Sequence, residues 1–210
     1  FSLSRVIYIP NGVRIDNSHK LLDFEKDTLR KRLNLPFGKL VVYTGQINRT
    51  KGIFFLLKAW ELIQKGRHDV SLILIGETND LALQRLLKSD EKIYCIGKVE
   101  NISDYLKGAD IFVLPSFSEG MSNSLLEAMS YGLSIVATNI GGNRELIIDQ
   151  KNGLLVEPED VQGLATAILK LIKDESLAKG LGEQAKRDIK KYNINRIANN
   201  YIRLYSEILS

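Results

Sequence analysis

Two carboxylates, Glu119 and Glu127, flank a predicted helix start in the segment SFSEGMSNSLLEAMSYG (116–132). The apolar run 110–114 just before it suits a buried parallel strand. Pro115 ends that strand, and a loop of small residues sets Glu119 beside Gly120. Ser122, Asn123 and Ser124 supply N-cap chemistry, and 125–129 has the pattern of a helix with one apolar face. A helix start after a strand presents free backbone N–H groups and the positive end of the dipole, a ready site for a phosphate. Glu127 falls about one and a half turns into the helix, so its carboxylate can face a ligand whose phosphates rest on the tip. One carboxylate at the loop and one down the helix can grip two hydroxyl-bearing ends of a molecule with phosphates between them. A nucleotide-sugar has that layout.

A second segment, VVYTGQINRTKG (41–52), reads as a strand, a turn at Gly45, a polar loop and a helix beginning near Gly52. Gly45 lets the backbone approach a ligand closely, and Arg49 with Lys51 brings positive charge to another helix N-terminus. A third, IVATNIGGNREL (135–146), sets Gly141 and Gly142 in a loop able to approach a sugar, or in a plain strand-to-helix turn. Bland readings stand beside these. Glu119 could merely cap the following helix, Glu127 could be a solvated helix carboxylate, and Lys51 an ordinary exposed lysine. His19 and His68 lie in polar contexts without ligand spacing and are expected to face solvent. No Asp-x-Asp, Cys/His cluster, G-x-G-x-x-G or G-x-S-x-G occurs, and Ser116, Ser118 and Ser122 have no local His partner. Metal, dinucleotide and serine-hydrolase chemistry are therefore disfavoured.

The elements that must position these residues alternate. Strand-like runs are predicted at 5–9, 40–44, 70–75, 93–96, 110–114, 134–137 and 153–156. Helical patterns lie between them near 23–33, 52–64, 80–88, 102–107, 124–131 and 144–148. The fold class implied is α/β: a Rossmann-like, doubly wound, mostly parallel sheet flanked by helices. Gly45, Gly76, Gly97, Pro115 and Thr138 each follow a strand, so their loops should gather on the ligand-binding edge. From Asp160 onward the chain reads as additional C-terminal helices, at 160–172, 175–192 and 194–209. The YIPNGVRID stretch (8–16) reads as a lead-in linker turning at Pro10-Asn11-Gly12.

A length of 210 residues allows one large α/β domain or two small ones. The net charge of +4 comes without a run of like charges or a basic segment interleaved with aromatics, so nucleic acid is not an expected partner. Cys95, a lone cysteine in an apolar stretch, is expected to be buried filler and suits a reducing compartment. No apolar run reaches the ~20 residues that span a bilayer. The first residue, Phe1, suggests a fragment of a longer protein.

Glu119-x7-Glu127, the Gly45 to Lys51-Gly52 loop, the Ile140-Gly141-Gly142 to Glu145 turn and the IPNGV lead-in (9–13) together resemble the carboxyl-terminal domain of a family 4 retaining glycosyltransferase with the GT-B fold. The resemblance runs from about Ile7 to the final helices. That family pairs an amino-terminal domain holding the acceptor with a carboxyl-terminal domain binding the donor nucleotide-sugar. The resemblance implies that 1–16 is a linker and first strand from a missing amino-terminal domain, 17–192 the nucleotide-sugar-binding domain and 193–210 a C-terminal helix. It implies that Glu127 bonds the donor ribose and Glu119 the hydroxyls of the transferred sugar. Backbone N–H groups of Gly120, Met121 and Ser122, with Asn123, would face sugar and diphosphate, and the base would lie at the loop carrying Lys98 and Val99. Lys51 would neutralise the departing diphosphate, a contribution of a few kcal/mol. Glu119 and Lys51 are thus the catalytic candidates, acting by positioning and electrostatics, with no covalent nucleophile. Where the family usually carries Arg after the loop glycine, this chain has Gln46, which supplies no charge. Arg49 is the candidate substitute.

The leading expectation is the donor-binding half of a retaining enzyme moving sugar from a UDP- or GDP-sugar to a glycan or lipid-linked acceptor, inactive as an isolated fragment. No metal or redox cofactor is expected. A nucleotide-sugar-binding module with weakened or lost catalysis is the alternative, consistent with Gln46. A generic flavodoxin-like regulatory domain would bind no nucleotide. A cytoplasmic location is expected. Lys186, Arg187, Lys190, Lys191 and Arg196 make either a solvated helix face or a peripheral contact with the membrane's inner face.

Overall fold

The computed structural model describes residues 6–15, 21–67, 69–87 and 90–209. His19 and His68 lie outside them. Strands β1 (Lys39–Thr44), β2 (Val70–Ile75), β3 (Ile93–Gly97), β4 (Ile111–Leu114), β5 (Ser134–Thr138) and β6 (Leu154–Val156) form one sheet in the order β3-β2-β1-β4-β5-β6. Every pairing is parallel. β2 and β4 are buried along their whole length, as strands covered on both faces must be. The helices are α1 (Asp23–Arg32), α2 (Ile53–Gln64), α3 (Leu81–Leu87), α4 (Ile102–Gly108), α5 (Asn123–Ser130), α6 (Gly141–Arg144), α7 (Val161–Lys173), α8 (Glu175–Asp188) and α9 (Ile194–Leu209). A 3-10 turn, Ile189–Tyr192, joins α8 to α9. α2 packs on α7, α1 on α4, and α5 on α8 and the 3-10 turn. This is the doubly wound, Rossmann-like arrangement that the alternating pattern predicts.

The chain builds outward from β1 to β3, then returns to lay β4 beside β1. The loops leaving β1 and β4 emerge at that switch point, on the carboxyl edge of the sheet where folds of this kind bind ligands. A buried clasp sets the register at the opposite edge. Arg30, only 6% exposed, donates to the carbonyls of Gly108 and Gly38 and to the Asp110 carboxylate. Asp110 also accepts from Lys26 and from the Leu40 backbone N–H at 2.8 Å. Burial pushes the Asp110 carboxyl up, but the Lys26 and Arg30 charges and these hydrogen bonds outweigh it and hold it below its ordinary value.

Three expectations are corrected. The described part of the first predicted strand (5–9) joins no sheet: Val6, Ile7 and Tyr8 are exposed coil, and Arg5 lies outside the described residues. The segment attaches instead through Val13, whose N–H donates to Tyr192 and whose carbonyl accepts from Ile194, both at 2.9 Å. The helix expected at 144–148 starts earlier and stops at Arg144, with Gly141 and Gly142 as its first residues. Asn152 diverts the chain there, accepting from the Ile148 N–H at 2.7 Å and donating to the Leu146 carbonyl. Cys95 is exposed rather than buried, because β3 is an edge strand only partly covered along its length. Among the described residues, no helix is long and apolar enough to cross a membrane.

Candidate functional site

The two loops of the switch point are held against each other by backbone. Gly52 sits at φ +71° as the first cap of α2, and a Cβ there would overlap the Pro115 carbonyl. The Phe117 N–H donates to the Thr50 carbonyl at 3.1 Å, and the Phe55 and Phe117 rings meet edge to face. Asn48 shapes the first loop by accepting from the Lys51 N–H and the Thr50 hydroxyl. The result points the Lys51 ammonium at Glu119, which it reaches at 2.8 Å. Glu119 keeps 11% of its side-chain surface exposed and Lys51 29%, so the pair is largely buried where the two loops meet.

Beyond Glu119 the chain passes Gly120 and Met121 to Ser122, whose hydroxyl accepts from the Leu125 N–H and caps α5. Asn123 opens that helix. α6 presses on the loop so closely that a Cβ on Gly142 would overlap the Gly120 carbonyl. Glu127, partway down α5, is half-buried, and its carboxylate has no hydrogen-bond partner among the described residues. Burial alone pushes that carboxyl above its ordinary value.

Gly45 and Gln46 leave β1 exposed on the same edge, and the Tyr43 hydroxyl donates to the Gln46 carbonyl at 2.7 Å. Burial, and secondarily the Glu119 charge, pushes the Tyr43 phenol well up, which keeps it a donor. Among the described residues, the Gln46 side chain bonds only Asn48, whose amide donates to it. Arg49 is not brought to the pair: it lies 4.7 Å over the Phe54 ring, bonds Asp80 at 3.4 Å and is 71% exposed. Lys98 and Val99 follow β3, two strand spacings from β1, or roughly 10 Å. Lys98 is exposed and Val99 packs on the core. Among the described residues, no three His, Cys, Asp or Glu side chains converge as a metal-ligating group.

Sequence reasoning missed the support under the loop. Thr138 Oγ1 donates to the carbonyls of Ser116 and Leu114, and Asn143 Nδ2 donates to the Thr138 carbonyl at 2.9 Å. Asn143 and Ser116 are fully buried. It also missed Asn11, whose amide reaches the Met121 carbonyl at 3.2 Å and Asn123 Oδ1 at 3.0 Å. Thr138, the polar residue that ends its strand after an apolar run, was the available signal for the first. The second joins residues 110 positions apart: the IPNGV lead-in (9–13) marked Asn11's segment but not its partners.

Comparison with known proteins places this geometry. The family described as Glycosyl transferases group 1 matches residues 38–174. TuaC of Bacillus subtilis (strain 168), a provisionally named teichuronic acid biosynthesis glycosyltransferase, is 37% identical over 68% of this chain and 36% of its own length. Staphylococcus aureus TarM, solved with fondaparinux, alpha-GlcNAc-glycerol and UDP, superposes with a TM-score of 0.82 at 25% identity over 98% of this chain and 40% of that one. The C-terminal domain of LpcC, a glycosyl transferase group 1 family protein from Francisella tularensis, superposes at 0.74 with 26% identity, over 86% and 96%. The chain spans 36% to 53% of the length of the first curated relatives it matches.

Proposed function

The chain belongs to the glycosyl transferases group 1 family, and on that premise we propose that it is the donor-binding part of a retaining GT-B glycosyltransferase. It would take a UDP- or GDP-sugar and serve transfer, in the cytoplasm, to a glycan or lipid-linked acceptor held by an amino-terminal domain. The carrying observation is the Lys51–Glu119 pair closing the switch point beside the capped start of α5. The UDP held by TarM supports a nucleotide in the same fold.

In this reading the diphosphate takes Lys51 from Glu119 and rests on the N–H groups of Gly120 to Asn123. Glu119, released, accepts hydroxyls of the sugar. Glu127, already half-desolvated, accepts the ribose hydroxyls, and Lys98 with Val99 borders the base. As the bond from the anomeric carbon to the phosphate oxygen breaks, that oxygen gains negative charge. Lys51 and the helix start stabilise the charge where it develops. The acceptor hydroxyl attacks from the face the phosphate leaves, passing its proton to the leaving phosphate oxygen, so the configuration is retained.

Calorimetric titration of UDP and GDP into the 210-residue chain, with Lys51→Ala as control, tests the site. No heat from either nucleotide overturns the reading. A donor panel on the longer protein then tests transfer. A second reading, a nucleotide-sugar-binding module with weakened catalysis, is favoured by neutral Gln46 together with Arg49 turned to Asp80. Binding without transfer in the longer protein decides for it.

A further inference from the structure

The lead-in segment does more than connect. Tyr8 donates to Glu145 Oε2 at 2.8 Å, just past α6, and this bond, with burial and the Glu145 charge, pushes its phenol up to about 12. Val13 is pinned through both backbone groups between Tyr192 and Ile194. Gly12 is so close to Ile194 and Ile197 that a Cβ would touch both. Pro10 restricts the remaining backbone freedom. Asn11 is therefore presented from a strap fixed on either side, and its single amide nitrogen spends both hydrogens on the first turn of α5: one on the Met121 carbonyl, one on Asn123 Oδ1.

We infer that Asn11 is a positioning residue that holds the 120–123 loop in the shape that receives a phosphate. It touches no donor. It fixes the carbonyl of Met121 outward, which aims the following N–H groups toward the switch point. This inference rests on the proposed nucleotide site, but its first readout does not need a nucleotide. An amide is required because an aspartate at the same place can donate neither hydrogen and adds a negative charge beside the phosphate position.

Amide hydrogen exchange on the 210-residue chain tests it. In Asn11→Ala, peptides covering 117–126 should exchange about fivefold faster, while α8 peptides and the melting temperature stay unchanged. The UDP dissociation constant should rise about fivefold in Asn11→Ala and more in Asn11→Asp. Asn123→Ala should make the Asn11→Ala effect smaller, since one acceptor is already gone. Unchanged exchange over 117–126, or faster exchange throughout the domain, overturns the positioning role. If exchange accelerates locally but the unsubstituted chain binds neither UDP nor GDP, the nucleotide reading fails and the strap stands.

Discussion

Lys51 and Glu119, 68 residues apart in sequence, meet at 2.8 Å where the loops that leave β1 and β4 come together. In the proposed function the diphosphate takes Lys51 from Glu119, so donor binding would be an exchange of partners. Lys51→Ala should raise the UDP dissociation constant about 10- to 100-fold, the range for a hydrogen bond to a charged group. Glu119→Gln removes the competitor for Lys51, so UDP itself should bind as well or better while the advantage of UDP-sugar over UDP disappears. Calorimetry with both ligands checks this, and equal weakening of both by Glu119→Gln contradicts it.

Arg49→Ala should change the UDP dissociation constant by less than about twofold, since its guanidinium pairs with Asp80 and stacks on Phe54 rather than joining Lys51 and Glu119. A larger loss would mean that the guanidinium swings in to replace the charge missing at Gln46.

Glu127 is where stability and binding should part. Its folded carboxyl is raised above the ordinary 4.5, so its stabilising contribution is full at acid pH and lost as pH rises through the folded value. At neutral pH the ionised group is a net cost. Glu127→Gln should therefore hold or raise the melting temperature at pH 7 while weakening UDP about tenfold. A fall in both at once would show a structural carboxylate.

The neighbouring glycines of α6 should answer oppositely. Gly141 has open space where a Cβ would go, so Gly141→Ala should stabilise by about 0.5–1 kcal/mol. Gly142→Ala must push the Gly120 carbonyl aside, and should abolish measurable UDP binding even if the domain stays folded. Thermal melts and UDP titration on the two variants separate these effects.

Asp110 sets an acid limit. Its carboxyl lies below the ordinary 3.8, so the stability it contributes is present above that value and lost as pH falls through the folded one. Asp110→Asn should cost about 3 kcal/mol at pH 7 by leaving Arg30 and Lys26 without their carboxylate. Urea unfolding at pH 7 and near pH 3 should show the gap between variant and parent closing.

The sheet and the start of α5 were legible because each depends on neighbours in sequence: a continuous apolar run, a Pro stop, a Ser cap, a helix period. The meeting of Lys51 with Glu119 was half legible, since parallel topology alone brings both loops to one edge. The end of α6 was not, because Asn152 intercepts the Ile148 N–H from outside the helix pattern. Cys95 misled because an apolar stretch carries no mark of being at the edge. Asn11 and the Thr138–Asn143 layer act through contacts that only the folded chain creates.

Val13 and Asn193 form a parallel bridge, so the chain comes into the domain and heads into its last helix at one spot. A unit whose two boundaries lie side by side can be exchanged with little disturbance to its neighbours. Grafting residues 8–193 onto the acceptor portion of a relative, so that Tyr8 and Asn11 travel with the loop they brace, should carry the donor preference with it. A chimera that folds yet keeps its host's donor preference would show that the preference resides elsewhere.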